Sequence, residues 1–135
     1  MFRNRNSLSE LLGALRFAIV GAGATLVHLL CAQLALATGV VPLALSNVIG
    51  FAVAFVAGFA GHQYYTFAGT APLARAFRRY GIIALVGFLI NNVVLFGLVA
   101  AGIVSKATAL SIAILIVPVG TFLASRFWGF LATEP

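Results

Sequence analysis

The sequence predicts an all-α membrane protein of four transmembrane helices, built as two parallel two-helix repeats. Three observations carry this. Hydrophobic residues make up 63% of the 135 positions and charged residues only 7%, against about 25% charged in a soluble domain. So few charges cannot cover a water-facing surface, and lipid must be the solvent. Apolar runs of about 20 residues, the length that crosses a bilayer as a helix, occur four times. Finally, a shift of 63 positions, Arg16 onto Arg79, aligns the two halves without a gap.

Residues 1–15 form a segment expected on the cytoplasmic side. Ser7-Leu8-Ser9-Glu10 has the capping-box form, in which serine and glutamate satisfy free amides at a helix start. Leu8, Leu11, Leu12 and Leu15 follow at helical spacing, as in an amphipathic helix lying on the inner membrane surface.

The first repeat, 16–67, holds spans from about Phe17 to Ala37 and from about Leu43 to Gly61. Ala35-Leu36-Ala37 resembles a signal-peptidase site, but the apolar run before it exceeds the 7–15 residues of a signal core. The run also has a counterpart in the second half, so it is expected to stay in the protein. A basic linker, 68–78, carries Gly69, Pro72, Arg75 and Arg78. The second repeat, 79–131, holds spans from about Tyr80 to Val104 and from about Ala107 to Ser125. Pro118 lies inside the fourth span, where it removes a helical hydrogen bond and is expected to bend the helix.

The alignment of the halves is specific at the ends of the spans. Ala37 and Gly39 fall on Ala100 and Gly102, Phe59 on Phe122, His62 on Ser125, Gln63 on Arg126 and Tyr65 on Trp128. Arg3, Arg5 and Arg16 precede the first span, and Arg75, Arg78 and Arg79 precede the third, whereas Lys106 alone lies in the short connections. Cations stay on the cytoplasmic side, so both termini and the linker are expected there. Two repeats entering from one side are related by an axis along the membrane normal. Tyr64, Tyr65, Phe67, Phe127, Trp128 and Phe130 then form an interfacial aromatic belt.

Polar residues within lipid-crossing helices need a reason, because the helix satisfies its own backbone. His28 lies 12 residues beyond Arg16, about 18 Å along the helix and near the bilayer centre. Thr25 shares its face. The shift places Asn91 opposite His28, with Asn92 adjacent. A central polar layer of His28, Asn91, Asn92 and Thr25 is expected. Interhelical hydrogen bonding is one reading of it, and a functional site is the other. Gly50, Ala54 and Gly58 recur every fourth residue and lead to His62, with Asn47 three before Gly50. Small residues at that spacing let helices approach closely, so this seam is read as packing. At the cytoplasmic end, Arg126, His62, Arg16 and Arg79 form a candidate basic ring for a lipid phosphate. The guanidinium fork suits phosphate, while snorkelling anchors account equally for Arg16 and Arg79.

Several classes are excluded. Glu10 and Glu134 are the only acids, and both lie near a terminus, so no carboxylate pair can bind a metal or run acid–base chemistry. The net charge of +6 rests on eight cations without a basic stripe, which excludes a nucleic-acid footprint. Cys31 stands alone, so no internal disulfide can form. No cofactor motif is present, and the candidate nucleophiles lack basic partners, so no enzymatic activity is expected.

Three segments, RFAIVGAGATLVHLL at Arg16 to Leu30, GHQYYTF at Gly61 to Phe67 and VPVGTFLASRFWGF at Val117 to Phe130, resemble the GtrA-like family. The resemblance implies a four-span protein of the bacterial inner membrane, linked to cell-surface polysaccharide synthesis. It implies a flippase for polyprenyl-phosphate-linked sugars, or alternatively a non-transporting scaffold that recruits a glycosyltransferase to its lipid-linked substrate. Thr25, His28, His62, Asn91 and Arg126 match recurring polar positions of the family, whereas Gln63 stands where a basic residue is usual. The implied partners are the lipid-linked sugar, membrane lipids and a glycosyltransferase. A homo-oligomer is also expected, because four helices of this length enclose little volume.

Overall fold

A computed structural model describes the backbone of residues 3–66 and 72–131, and the side chains of residues 7–65 and 72–120. Four α-helices follow one another: α1 (Arg3–Ala37), α2 (Leu43–Gly61), α3 (Leu73–Ala101) and α4 (Lys106–Leu131), with one π-helical turn, His62–Thr66, continuing α2. Among the described residues there is no strand. Three stretches are long and apolar enough to cross a membrane: Ser7–Ala37, Leu43–Tyr65 and Leu73–Ala101. The described apolar part of α4, Lys106–Gly120, is shorter.

Two boundaries differ from the sequence reading. The amphipathic segment is not a separate surface helix, because α1 runs unbroken over 35 residues. Leu, Ala and Arg on both sides of Arg16 are good helix formers, and nothing between them stops propagation. At about 1.5 Å per residue α1 is about 52 Å long, well beyond the roughly 30 Å hydrocarbon core. The third helix also ends before Val104, at Ala101, because Gly102 takes a left-handed conformation (φ 69°) and donates its N–H to the Val99 carbonyl. Gly39, after α1, adopts the same conformation (φ 75°) and donates to Leu36. Left-handed backbone favours glycine, so both short connections are fixed by sequence. Ser105 then caps α4, its hydroxyl oxygen accepting the Thr108 N–H at 3.2 Å.

The helices close into a ring: α1 packs on α2 and α4, and α3 packs on α2 and α4. The α1–α2 contact is the tightest. A Cβ placed on Gly50 would lie 2.6 Å from the His28 carbonyl oxygen, and one on Gly61 would lie 2.7 Å from Val20 Cγ1. Gly58 meets Ala24 of α1 and the Tyr80 hydroxyl of α3. Gly50, Ala54 and Gly58 are all buried. The expected packing seam is therefore in contact, and its partner is the chain's own first helix. Outward faces carry exposed leucine, isoleucine and valine, among them Leu26, Leu34, Ile83 and Val93, as lipid contact requires.

The bundle differs between its two ends. Toward the connections at 38–42 and 102–105 it is packed solid around Ala32, Leu95, Ala109, Leu110, Ala113 and Ile114. Toward the arginine-bearing end the described residues line a cavity.

Candidate functional site

Between the solid half and the arginine-bearing half lies a layer of amides and one imidazole. His28 Nε2 and Asn47 Oδ1 are 2.9 Å apart. Asn47 Nδ2 donates to Asn91 Oδ1 at 2.6 Å and to Asn92 Oδ1 at 3.3 Å. Asn92 Nδ2 in turn donates to the Phe88 carbonyl at 2.8 Å. Asn47 is fully buried and Asn91 is 2% exposed.

The direction of this chain follows from its last link. A backbone carbonyl only accepts, so the Asn92 amide must point its nitrogen at Phe88 and its oxygen at Asn47. Asn47 therefore presents nitrogen to α3 and oxygen to α1. Its oxygen can only accept, so His28 carries a proton on Nε2 and donates it. One helix turn back, Thr25 Oγ1 donates to the Gly21 carbonyl at 2.9 Å, which leaves the oxygen free to accept. Asn91 uses its oxygen on Asn47, and its buried Nδ2 has no partner among the described residues.

On the arginine-bearing side of this layer is a cavity of about 790 Å³. Its floor includes His28, Asn91 and Thr25; its walls are small residues of α1, Phe51 and Phe55 of α2, Ala84 and Phe88 of α3, and Pro118 of α4. Phe51 and Phe88 stack with centroids 4.2 Å apart, and the His28 ring meets Phe51 edge-on at 6.1 Å. The result is an apolar chamber with a polar floor at mid-helix depth.

Phe17 and Tyr80 also line the cavity, at its arginine-bearing end. They occupy equivalent positions of the two halves, each directly after an arginine. Both turn onto His62, whose ring stacks on Phe17 at 4.7 Å and lies 5.5 Å from Tyr80. The Arg16 guanidinium sits 5.4 Å from the centroid of the Tyr65 ring, within cation–π range.

Of the sequence-predicted site residues, His28, Asn91 and Asn92 thus come together, and Thr25 joins them at the cavity floor. His62, expected in the basic ring, is 8% exposed and lies against the Phe17 and Tyr80 rings. Arg16 and Arg79 are exposed and flank that cluster through Phe17 and Tyr80. The Arg126 side chain lies outside the described residues, as do those of Phe127, Trp128 and Phe130; Phe67 lies outside them too.

The sequence reading missed the hub of the layer, Asn47, and a second polar link. Gln33 Nε2 of α1 donates to the Ala107 carbonyl and to Ser111 Oγ of α4, each at 2.8 Å. Asn47 was detectable: it lies three residues before Gly50 on the face where His28 packs. Gln33 was detectable as a further polar side chain within the first span, beyond Thr25 and His28. Among the described residues no three His, Cys, Asp or Glu side chains come together in a metal site.

These features define a small multi-pass membrane protein with a cavity on one side of a buried amide–imidazole layer. The sequence matches the GtrA/DPMS transmembrane-domain family over residues 16–130, and the chain belongs to that family. The family places it among membrane proteins of glycosylation pathways. No curated protein matches the chain, and no solved structure does.

Proposed function

We propose that the protein translocates polyprenyl-phosphate-linked sugars across the bacterial inner membrane for cell-surface polysaccharide modification, without catalysing a covalent step. The observation that carries this reading is the one-sided cavity of about 790 Å³, apolar along its walls and polar at its floor. A lipid-linked sugar has both characters. Its polar head cannot cross hydrocarbon unaided, and the floor replaces part of the water it loses. Its tail remains among apolar side chains. Arg126, His62, Arg16 and Arg79 belong to the arginine-bearing end in this reading, with Arg126 and the exposed arginines meeting the phosphate and His62 holding Phe17 and Tyr80 in place.

The cavity faces the cytoplasm, by the bias of the cations, and the chain is two parallel repeats. Coincident burial supports the repeat. Ser46, Asn47 and Gly50 are buried in α2, and Ala109, Leu110 and Ala113, each 63 positions on, are buried in α4. Ala32 and Leu95 are related in the same way, and so are the left-handed Gly39 and Gly102. The solid half is then the closed, outer gate.

The scaffold alternative would use the small-residue seam as a docking surface for a glycosyltransferase. Gly50, Gly58 and Gly61 are already filled by α1 and Tyr80, so this seam offers no surface to a partner. The test is transport in proteoliposomes: a labelled polyprenyl-phosphate glucose placed in one leaflet should appear in the other faster than in empty liposomes. Equal rates with and without the protein would leave the scaffold reading.

A further inference from the structure

The cavity floor holds a feature that packing does not account for. Asn91 is 2% exposed and lines the cavity, yet its Nδ2 has no hydrogen-bond partner among the described residues. A buried amide donor left unmade is costly, and buried polar groups almost always find partners. The amide cannot relieve this by rotating, because its oxygen already takes the Asn47 donor at 2.6 Å; a flip would place two NH₂ groups face to face.

We propose that, within the transport reading above, the cavity floor is a recognition site for a neutral hydroxyl group of the carried sugar, and that the phosphate stays toward the arginine-bearing end. A hydroxyl both accepts and donates, and the floor offers both complements. Asn91 Nδ2 donates. Thr25 Oγ1, whose own hydrogen goes to the Gly21 carbonyl, accepts. An anion would fit poorly at this depth. Among the described residues lining the cavity there is no lysine or arginine, and an unpaired charge in an apolar chamber is far more costly than a hydroxyl. Arg16 precedes His28 by 12 residues, about 18 Å of backbone along α1, and a long arginine side chain reaching inward narrows that gap to the span of one sugar phosphate. The stacked Phe51 and Phe88 rings beside the floor supply flat apolar surface for a sugar ring's C–H face.

Asn47 and Asn92 act here as positioning residues. Phe88 orients Asn92, Asn92 and Asn91 orient Asn47, and Asn47 holds the Asn91 oxygen, which leaves the buried Asn91 nitrogen unpaired beside the cavity.

The test uses the full-length protein in nanodiscs with radiolabelled geranylgeranyl phosphate, geranylgeranyl phosphate glucose, and the four monodeoxy analogues of that glucose probe. Wild-type protein should bind the glucose probe about tenfold more tightly than the bare phosphate, and one deoxy analogue should lose about that factor, as expected for one buried hydrogen bond. Asn91→Leu should remove the preference and leave binding of the bare phosphate unchanged. Asn92→Leu breaks a similar network bond but presents nothing to the cavity, so it should keep a measurable preference. The deoxy series needs no variant, so misfolding of Asn91→Leu does not obscure the answer. Equal binding of all four deoxy analogues and the parent would overturn the inference and leave a water molecule as the Asn91 partner. If that happens while the glucose probe still crosses proteoliposomes, the hydroxyl site falls and transport stands. If wild-type protein neither binds nor moves the glucose probe, both fall.

Discussion

Gly50→Ala is the smallest perturbation of the contact that positions the polar layer. The added Cβ would lie 2.6 Å from the His28 carbonyl oxygen, and 2.8 Å from both Ala32 Cβ and His28 Cδ2. Carbon contacts are comfortable at about 3.5–4.0 Å, so α1 and α2 must part locally by about 1 Å. The obstructing atoms include backbone, which cannot rotate away. Alanine improves intrinsic helix propensity by about 1 kcal/mol, whereas forcing an extra carbon into a packed contact costs about 1–3 kcal/mol. The same parting stretches the 2.9 Å bond between His28 and Asn47, one turn from Gly50, beyond hydrogen-bond range. That removes about 0.6 kcal/mol more, the average for such bonds in membranes. The net expectation is a loss of about 0.6–2.6 kcal/mol. Steric-trap unfolding in bicelles measures it directly. Gly97→Ala is the control, since a Cβ there meets nothing within 4 Å; it should be neutral or stabilising by up to about 1 kcal/mol. A Gly50→Ala protein as stable as Gly97→Ala would refute the α1–α2 spacing, and with it the assembly of the layer.

Asn47→Leu should remove three side-chain hydrogen bonds, a loss of about 2 kcal/mol at membrane values; it should also release the His28 tautomer, seen as loss of a single Nε2–H imidazole ¹⁵N pattern by NMR. Arg126→Lys should lower transport of the lipid-linked sugar, and Arg126→Ala should lower it further at equal protein incorporation, because lysine keeps the charge and loses the two-point fork; full activity with lysine would make the residue an anchor. Reporter fusions at Thr70 and at the C-terminus should both report cytoplasm, and an external signal from either would break the parallel-repeat arrangement.

Much of this was legible in the sequence because lipid leaves few ways to explain a polar side chain. The four-residue recurrence of Gly50, Ala54 and Gly58 named the closest helix contact, since a glycine stripe has no other use there than close approach. The alignment of halves paired His28 with Asn91, and the two side chains do meet, through Asn47. That intermediary was hidden by its company: set beside Gly50 in a packing seam, Asn47 read as part of the seam, although its shared face with Gly50 pointed it at His28. Its counterpart 63 positions on is Leu110, so the repeat gave no second signal either. His62 shows what the pattern omitted. Its place at a helix end next to cations marked it for an anion, but Phe17 and Tyr80 arrive from two other helices, and single-chain patterns do not show what distant residues bring. The cavity was not legible at all, because an opening is set by where helices diverge, and no spacing along one helix records that.

The account rests on the cavity being the route, and filling it is the most direct test. Ala84 of α3 lines the chamber, and Ala84→Phe places a ring in it without touching the polar layer or the arginines. Ala52→Phe, on an exposed outward face of α2, adds the same ring to the lipid side. Proteoliposome transport of labelled polyprenyl-phosphate glucose should proceed at the wild-type rate with Ala52→Phe and fall at least about tenfold with Ala84→Phe, a barrier increase of about 1.4 kcal/mol. A wild-type rate with Ala84→Phe, in folded protein at equal incorporation, would contradict the account.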